Sequence, residues 1–403
     1  MDGVLTTLTA KEHSQPLQTS NHRWVVLFAS FLAFVVFAYV FQVVPPLLGI
    51  IQTDFHVGDA EAGLLMSMVV IPGIFLALPA GLMVNRYGFR SLGFLSIILV
   101  AVGSLATALA TTFPSALLGR LILGVGGAFI VVGTPTFIPQ WFTRKDLGKA
   151  MGIYAANMPV ATILAFSTAN LLERSFDWHF PFYVGTVASL VCALVFVFVA
   201  KEGPLKGEHT PVRMEEVKHA LRAAEVWKAS LVWVFFNTTA IAFLSWSPKW
   251  FSVFKGIESF YASLLANGLM IAAVFFAPIF GWISGKVGRR KPIMILGSVS
   301  TGLTLIAIAY AYDLPLVMSV AVLGISAATV PPLVMAIIAE SLPPRLSGTG
   351  FSIITLCQNI GMTLSAPLAG YIMQTTSSLP LTFFGISLFT YASALTTLTI
   401  KSR

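Results

Sequence analysis

The sequence predicts an all-α membrane protein with twelve transmembrane helices, arranged as two pseudo-symmetric six-helix bundles. Three observations lead to this fold class: an apolar composition, twelve apolar stretches of spanning length, and a repeat between the two halves of the chain. Hydrophobic residues make up 57% of the 403 residues and charged residues 10%, and the mean hydropathy is +0.86. A soluble domain carries about 25% charged residues, so lipid must surround most of this chain.

The apolar stretches each match the roughly 20 residues that one membrane crossing requires. They lack the alternation of strands, and a lipid-exposed backbone must satisfy its own hydrogen bonds, so we interpret each stretch as a helix. Short turns join the last helices, which leaves counts of eleven or thirteen open. The predicted spans are residues 24–48, 60–84, 91–112, 115–138, 147–171, 180–200, 229–250, 260–285, 292–312, 314–338, 348–373 and 380–400.

Polar segments divide the chain into four regions. A cytoplasmic tail is predicted for residues 1–22, a six-helix bundle for 23–200, a cytoplasmic linker for 201–228 and a second six-helix bundle for 229–400. The linker is rich in Gly and Pro at its start and charged over residues 212–227, a piece that we interpret as a surface helix.

The distribution of Lys and Arg predicts the orientation in the membrane. With a cytoplasmic N-terminus, the inner segments hold 20 of the 24 basic residues, the outer loops hold Arg174, Lys249 and Lys255, and Arg120 lies within a helix. Basic residues accumulate on the cytoplasmic side. We therefore expect a multi-pass protein of the cell (inner or plasma) membrane with both termini in the cytoplasm. The net charge of +8 then faces anionic lipid, and nucleic acid is not expected as a partner.

The two halves of the chain are similar to each other. A shift of 200 positions places residues 62–90 over residues 262–290, with nine of the 29 positions identical, and a shift of 202 places Asn157 over Asn359. Two similar six-helix halves imply a pseudo-two-fold axis along the membrane normal. In such architectures the binding site lies between the halves near the midplane.

The loop after the second helix resembles the signature of the major facilitator superfamily. That signature reads G-x-x-x-D-R-x-G-R-[KR], whereas residues 81–90 read G-L-M-V-N-R-Y-G-F-R and residues 281–291 hold a second copy, G-W-I-S-G-K-V-G-R-R-K. Asn85 and Gly285 replace the usual Asp of the signature. The resemblance therefore implies a weaker form of the charge interaction that holds such transporters in the outward-open state. The glycines predict a tight cytoplasmic turn. The resemblance implies a gating role for Gly81, Asn85, Arg86, Gly88, Arg90, Gly281, Gly288 and Arg289.

Two further motifs narrow the branch of the family. The fourth helix carries Arg120 followed by Gly124 and Gly126, similar to the family's R-x-x-x-G-x-G. The fifth helix reads N-M-P-V-A-T from Asn157, without the G-P-x-x-G-G of drug–proton antiporters. The sequence as a whole, including Q-W-F-T-R at 140–144, resembles the cyanate and nitrate/nitrite branch of the family. The arginines that bind nitrate in the second and eighth helices of that branch have no counterpart here.

Charge inside a membrane is costly, so an intramembrane ionisable residue is a functional candidate. Only Arg120 clearly qualifies, either as a partner of an anionic substrate or as a structural arginine bonded to backbone carbonyls. No Asp, Glu or His falls near the middle of a predicted span. A uniporter or exchanger therefore stays open, as does symport in which the proton travels on the substrate or on a carboxylate at a helix end.

Uncharged polar residues in the cavity-lining helices of this fold are the remaining candidates. Amides donate and accept hydrogen bonds, which suits a small polar or anionic solute. Their structural alternative is hydrogen bonding between helices. The repeat suggests that Asn157 and Asn359 face each other across the pseudo-axis. Together with Arg120, the predicted substrate-binding residues are Tyr39, Gln42, Tyr154, Asn157, Asn237, Gln358 and Asn359.

The resemblance implies a secondary transporter that works by alternating access on a small polar or anionic solute. The alternatives are efflux of hydrophobic drug-like compounds by proton antiport and a non-transporting sensor on the same fold. No set of paired acids, metal-ligating histidines or nucleophiles converges, so an enzyme is not expected. We expect a monomer without cofactor or metal. Bends are predicted at Pro45-Pro46, Pro159, Pro331-Pro332 and Pro367, where proline removes a helix hydrogen bond.

Overall fold

A computed structural model describes residues 22–142, 144–201, 222–341 and 347–400 of the chain. Residues 1–21 of the predicted tail and residues 202–221 of the predicted linker lie outside the described residues, whereas the last four residues of the predicted surface helix, 224–227, form the first turn of the helix Ala224–Lys255. The helices within the described ranges group into twelve spans. These are α1 (His22–Gln42 and Val44–Phe55), α2 (Asp59–Tyr87), α3 (Phe89–Ala108), α4 (Phe113–Phe137, ending in the 3-10 turn Ile138–Gln140), α5 (Arg144–Tyr154 and Asn157–Ser175), α6 (Phe180–Val199), α7 (Ala224–Lys255), α8 (Ser259–Ala266 and Gly268–Val287), α9 (Arg290–Tyr310), α10 (Asp313–Ala327 and Val330–Ser341), α11 (Ser347–Thr376) and α12 (Leu379–Thr399).

The helices match the predicted membrane spans. Within the described residues, eleven of the spans are long and apolar enough to cross a bilayer, and α11 adds a helix of 30 residues. Several helices run past the predicted apolar stretches, as α1 does by continuing to Phe55 and α7 by starting at Ala224. Hydropathy marks only the hydrocarbon depth, whereas a helix of 30 residues is about 45 Å long and reaches into the headgroup region.

The two halves pack their helices in the same way, which confirms the pseudo-symmetric fold. In the first half α1 packs on α5 and α6, α4 packs on α2 and α3, and α3 packs on α6. The second half repeats each pair six helices later: α7 on α11 and α12, α10 on α8 and α9, and α9 on α12. The similarity of the two sequence halves thus reflects a similarity of structure.

The two motif copies form matching turns. Gly88 joins α2 directly to α3 with φ +78 and ψ 156, and Gly288 ends α8 with φ +65. Both N–H groups bond to the carbonyl four residues earlier, of Val84 and Ser284. Positive φ is adopted readily only by glycine, so the glycines at these two equivalent positions meet a backbone requirement.

Four spans are interrupted, and three of the interruptions follow from proline. A proline at position i leaves the carbonyl of residue i−4 without its helix donor. The breaks at Val43 in α1, at Ala155–Ala156 in α5 and at Ala328–Thr329 in α10 each lie between such a carbonyl and its proline. The fourth break is at Asn267 in α8 and has no proline beside it.

The membrane protein presents two distinct ends. The basic face contains the turns at 88 and 288–289 and the helix ends at Gln140, Val199, Ala224 and Ser341. We call the opposite end the sealed face, because polar contacts close the two halves on each other there. It contains the connections at 56–58, 109–112, 176–179, 256–258, 311–312 and 377–378.

Candidate functional site

The seam between the two halves is formed by three helix pairs: α2 with α11, the second segment of α1 with α7, and α5 with α8. Along α2 the approach is closest near the sealed face. A Cβ on Gly63 would lie 2.6 Å from the backbone of Ala366 and Pro367, and the Ser67 hydroxyl donates to the Thr363 carbonyl over 2.5 Å. That carbonyl is the one that Pro367 deprives of its helix donor, so α2 supplies the missing bond.

A charged cluster joins the halves at the sealed face. The Lys249 ammonium of α7 donates to Asp59 Oδ1 at 2.6 Å and to Gln52 Oε1 at 2.5 Å, and Gln52 Nε2 also donates to Asp59. The ammonium lies 5.4 Å from the ring centroid of Trp246. Lys249, Asp59 and Gln52, which we call the sealed-face cluster, border an open cavity of about 500 Å³. They tie α7 to α1 and α2.

A second set of contacts joins α5 to α8 at the same end. Arg174 forms an ion pair with Glu258 just before α8. One turn deeper, the Asn170 amide donates to the Ser259 carbonyl at 3.1 Å and to the Ser263 hydroxyl at 2.7 Å. Polar contacts therefore close the seam at the sealed face from the α2–α11 pair across α1 and α7 to the α5–α8 pair.

The hydrogen bonds and ion pairs described above that join the two halves lie toward the sealed face. Further along α2, a Cβ on Gly73 would meet the Asn359 amide of α11 at 2.6 Å. Three ion pairs among the described residues of the basic face each stay within one half. They join Arg23 to Asp146, Lys228 to Glu225, and Arg290 to Glu340. These polar contacts thus hold the two halves together at the sealed face.

Arg120 is fully buried in α4 and bonds to main-chain carbonyls. Its Nε donates to the Leu65 carbonyl at 2.8 Å, Nη1 to Val40 at 2.7 Å and Nη2 to Phe41 at 3.0 Å. Pro45 removes the helix donor of the Phe41 carbonyl, so Arg120 replaces a lost helix hydrogen bond at the break of α1. These are the contacts of the structural alternative, and its role toward substrate stays a prediction.

The first-half candidates lie where α1, α4 and α5 meet. The Tyr154 hydroxyl bonds to Thr134 of α4, and its ring packs edge-to-face on Phe34 of α1 at 5.9 Å. Asn157 begins the second segment of α5, directly after the break, and its Oδ1 accepts from the Met158 N–H. The structure thus brings Tyr154 and Asn157 to the two sides of the break in α5.

Tyr39 and Gln42 face α5 from α1. The Tyr39 hydroxyl lies 3.2 Å from the Thr168 hydroxyl, and Gln42 Nε2 donates to Thr162 at 3.3 Å. Gln42 is fully buried, and its Oε1 has no partner among the described residues. Their bonds stay within the first half.

The second-half candidates gather between α7 and α11. Trp233 Nε1 donates to Gln358 Oε1 at 3.1 Å, and Asn237 Nδ2 donates to the Trp233 carbonyl at 2.8 Å. Asn359 is half-buried against Gly73 of the opposite half. Asn237 and Gln358 are therefore neighbours through Trp233, a residue missing from the predicted set, which held only amides, tyrosines and Arg120.

The motif residues have clear places in the turns. Arg289 is exposed between α8 and α9, and a Cβ on Gly281 would touch Pro332 of α10 at 3.5 Å. A Cβ on Gly81 would meet Val132 of α4 at 3.8 Å. Arg90 is exposed in the first turn of α3. Asn85 and Arg86 lie in the last turn of α2, and their side chains are outside the described part of the structure.

The sequence matches the family model of the Major Facilitator Superfamily over residues 27–273 and 254–402. The nitrite extrusion protein of Bacillus subtilis (strain 168) is 24% identical over 294 residues, 73% of this chain and 72% of that protein. The lysosomal dipeptide transporter MFSD1 of Bos taurus is 23% identical over 362 residues, 84% of this chain and 76% of that protein. The crystal structure of a bacterial homolog to the human lysosomal transporter Spinster, in an inward-facing and occupied conformation, superposes with a TM-score of 0.83 at 17% identity, over 94% of this chain and 97% of that one.

The chain belongs to the Major Facilitator Superfamily. It is a secondary transporter that moves a small solute by alternating access, and its similarity to the nitrate/nitrite branch confirms the resemblance predicted from the motifs. The matches do not favour the alternative of drug efflux by proton antiport.

Proposed function

We propose that the transported solute is small and polar or anionic, and that the protein binds it between the two halves near the membrane midplane. The observation that carries this proposal is the chemistry of the inter-half region. Amide, hydroxyl and indole groups lie there, whereas the one intramembrane arginine is engaged by three backbone carbonyls. Uncharged donors and acceptors suit a solute that is recognised by hydrogen bonds. The nitrite extrusion protein among its relatives supports an anion.

Five of the predicted residues are the best placed to bind this solute. Gln358 accepts from the Trp233 indole, and Asn237 donates to the Trp233 carbonyl. Asn359 reaches the opposite half, and Tyr154 and Asn157 lie at the break of α5. Amide Nδ2 and Nε2 groups donate to oxygens of an anion, and aromatic rings supply apolar walls. For Tyr39, Gln42 and Arg120 we propose that they hold α1 against α2, α4 and α5.

The conformation follows from the orientation that the basic residues predict. With the basic face in the cytoplasm, the closed seam faces outside and the protein is inward-facing. The sealed-face cluster and the Arg174–Glu258 pair must then break before the solute enters from outside. The turns at Gly88 and Gly288, with Gly81, Asn85, Arg86, Arg90, Gly281 and Arg289, govern how the halves close on the cytoplasmic side. We propose no catalytic role for any residue.

A counterflow assay on the purified full chain in liposomes tests this proposal. Liposomes preloaded with nitrate, nitrite, cyanate or a monocarboxylate are expected to take up the same labelled solute, and a cationic dye is not expected to exchange. Gln358→Leu should lower the rate about tenfold, since it leaves the Trp233 N–H unpaired in the site. Thr397→Val is the matched control, because its buried hydroxyl bonds only to Ser393 of its own helix. Dye exchange without exchange of the small solutes would overturn the proposal.

A further inference from the structure

The α5–α8 seam contains a group of amides whose hydrogen bonds are incomplete. Asn267 lies at the break of α8 and is 0% exposed, yet neither its Oδ1 nor its Nδ2 has a partner among the described residues. Asn170 of α5 is also 0% exposed, and its Oδ1 is equally unpaired. Buried amides almost always find partners in folded proteins. Two incomplete amides in one seam therefore indicate a site for a ligand that supplies the missing bonds.

Asn170 faces the seam directly, and the helical register of α8 places Asn267 next to it. Asn170 donates across it to Ser263 at 2.7 Å. The backbone N–H of Asn267 bonds to the Ser263 carbonyl at 3.1 Å, so the helical register continues through the break and Asn267 lies one turn below Ser263 on the same face. Gly268, the next residue, faces α10 instead, since a Cβ there would meet Val320 at 3.0 Å. Asn267 is eight residues past Ser259 in α8, about 12 Å below the sealed face.

The chemistry of the unpaired atoms can be assigned from their partners. A backbone carbonyl only accepts, so the Asn170 atom that faces the Ser259 carbonyl at 3.1 Å must be the NH₂ group. Its unpaired atom is therefore an acceptor. Asn267 leaves one acceptor and one donor unpaired whichever way its amide is turned. The seam thus offers two acceptors and one donor.

We propose that Asn267 and Asn170 form a subsite for the transported solute, and that this subsite selects a solute carrying a hydrogen-bond donor such as a hydroxyl or amino group. The inference rests on the proposed function and narrows its substrate class. Nitrate and nitrite only accept hydrogen bonds and would satisfy one of the three unpaired atoms. A hydroxy or amino acid satisfies acceptors with its O–H or N–H and the donor with its carboxylate.

The position of the subsite gives it a role in the transport cycle. When the halves separate at the sealed face, the two bonds from Asn170 to α8 break and the amides become accessible from that side. The solute then bridges α5 and α8. When the seam closes, the Asn170 amide again donates to Ser259 and Ser263. The solute then loses hydrogen-bond partners and moves toward the centre.

Thermal unfolding of the purified full chain with three matched probes tests the inference. Propionate, lactate and alanine differ only in the group on C2: hydrogen, hydroxyl or ammonium. One buried hydrogen bond corresponds to about a fivefold change in affinity. We expect lactate or alanine to stabilise the protein at a concentration at least about fivefold lower than propionate. Asn267→Leu should reduce this preference to less than about twofold, and Asn267→Ser, which keeps a hydroxyl, should retain part of it.

Thr397→Val serves as the control and should keep the full preference. The inference is overturned if nitrate or propionate stabilises the wild-type protein as well as lactate and alanine do, or if Asn267→Leu leaves the preference unchanged. The second result would mean that the amide binds only ordered water. Counterflow of small solutes without any such preference would leave the proposed function standing. Exchange of cationic dyes alone, with no effect of the three probes on thermal unfolding, would contradict both the proposed function and this inference.

Discussion

At the scale of single residues, side chains from other helices supply the hydrogen bonds that prolines remove. Pro45 frees the Phe41 carbonyl, which accepts from Arg120, and Pro367 frees the Thr363 carbonyl, which accepts from Ser67. In lipid an unsatisfied backbone carbonyl is costly, so each proline creates a demand that a neighbouring helix meets. The two cases differ in consequence. Arg120 holds helices of one half together, whereas Ser67 bonds across the seam and must release when the seam opens.

Replacement of Arg120 should therefore affect the fold. Arg120→Leu leaves the carbonyls of Val40, Phe41 and Leu65 without this donor, at about 1–3 kcal/mol for each one that stays unpaired. We expect a sharp loss of folded protein on detergent extraction and a lowered unfolding temperature, measured by fluorescence-detected size-exclusion chromatography after heating.

Arg174→Gln is the matched control, because Arg174 pairs with Glu258 at an exposed position. It should stay within about 1 kcal/mol of wild type. A stable, fully extractable Arg120→Leu protein that has lost only transport would contradict the structural role and favour the prediction that Arg120 binds an anion.

At the scale of elements, the two equivalent turns differ in how strictly they require glycine. Gly88 has φ +78 and ψ 156, a region that is essentially restricted to glycine, whereas Gly288 has φ +65 and ψ 8, which is ordinary left-handed helical geometry. Gly88→Ala should cost about 1–3 kcal/mol and Gly288→Ala about 1 kcal/mol. Thermal unfolding in detergent should rank them in this order. Gly285→Ala, at a helical position with open space around it, should not destabilise. Equal losses at Gly88 and Gly288 would argue against the difference in backbone geometry.

The sealed-face cluster should set the balance between closed and open seams. Lys249→Gln removes a charge that bonds both Asp59 and Gln52. For this partly exposed group we expect a shift of about 1 kcal/mol toward the open seam, roughly fivefold in population. The reporter is Ala62→Cys, because Ala62 is 0% exposed near the α11 contact. Its reaction rate with an impermeant maleimide should rise with Lys249→Gln. Arg174→Gln, at a more exposed pair, should raise it less, and an unchanged rate with Lys249→Gln would show that the cluster does not hold the seam.

At the scale of the whole molecule, the fold was predictable because its causes are repeated along the chain. Apolar length, basic residues and the 200-residue repeat predict the helices and their two-half arrangement. Prolines predict three of the four helix breaks, whereas Pro367, where a bend is also predicted, lies inside the continuous helix α11. No proline lies beside the break at Asn267, so the sequence does not predict it. The contacts across the seam join residues far apart in sequence, such as Asp59 with Lys249 and Asn170 with Ser263. Nothing local in the sequence indicates which of many Ser and Asn residues meet.

The orientation of the whole molecule in the membrane decides from which side the solute reaches the sealed-face cluster and the Asn170–Asn267 subsite. Since the segments predicted to be cytoplasmic hold 20 of the 24 Lys and Arg residues, the basic face should lie in the cytoplasm. Lys286→Cys places a thiol at an exposed position of the basic face, and Thr376→Cys places one at an exposed position of the sealed face. An impermeant maleimide added to intact cells should label Thr376→Cys and should label Lys286→Cys only after the membrane is permeabilised. The wild-type protein is the control, because Cys192 and Cys357 are both buried and should stay unlabelled. The reverse pattern would place the basic face outside, and the closed seam would then face the cytoplasm, so that the sealed-face cluster and the Asn170–Asn267 subsite would receive solute from within the cell.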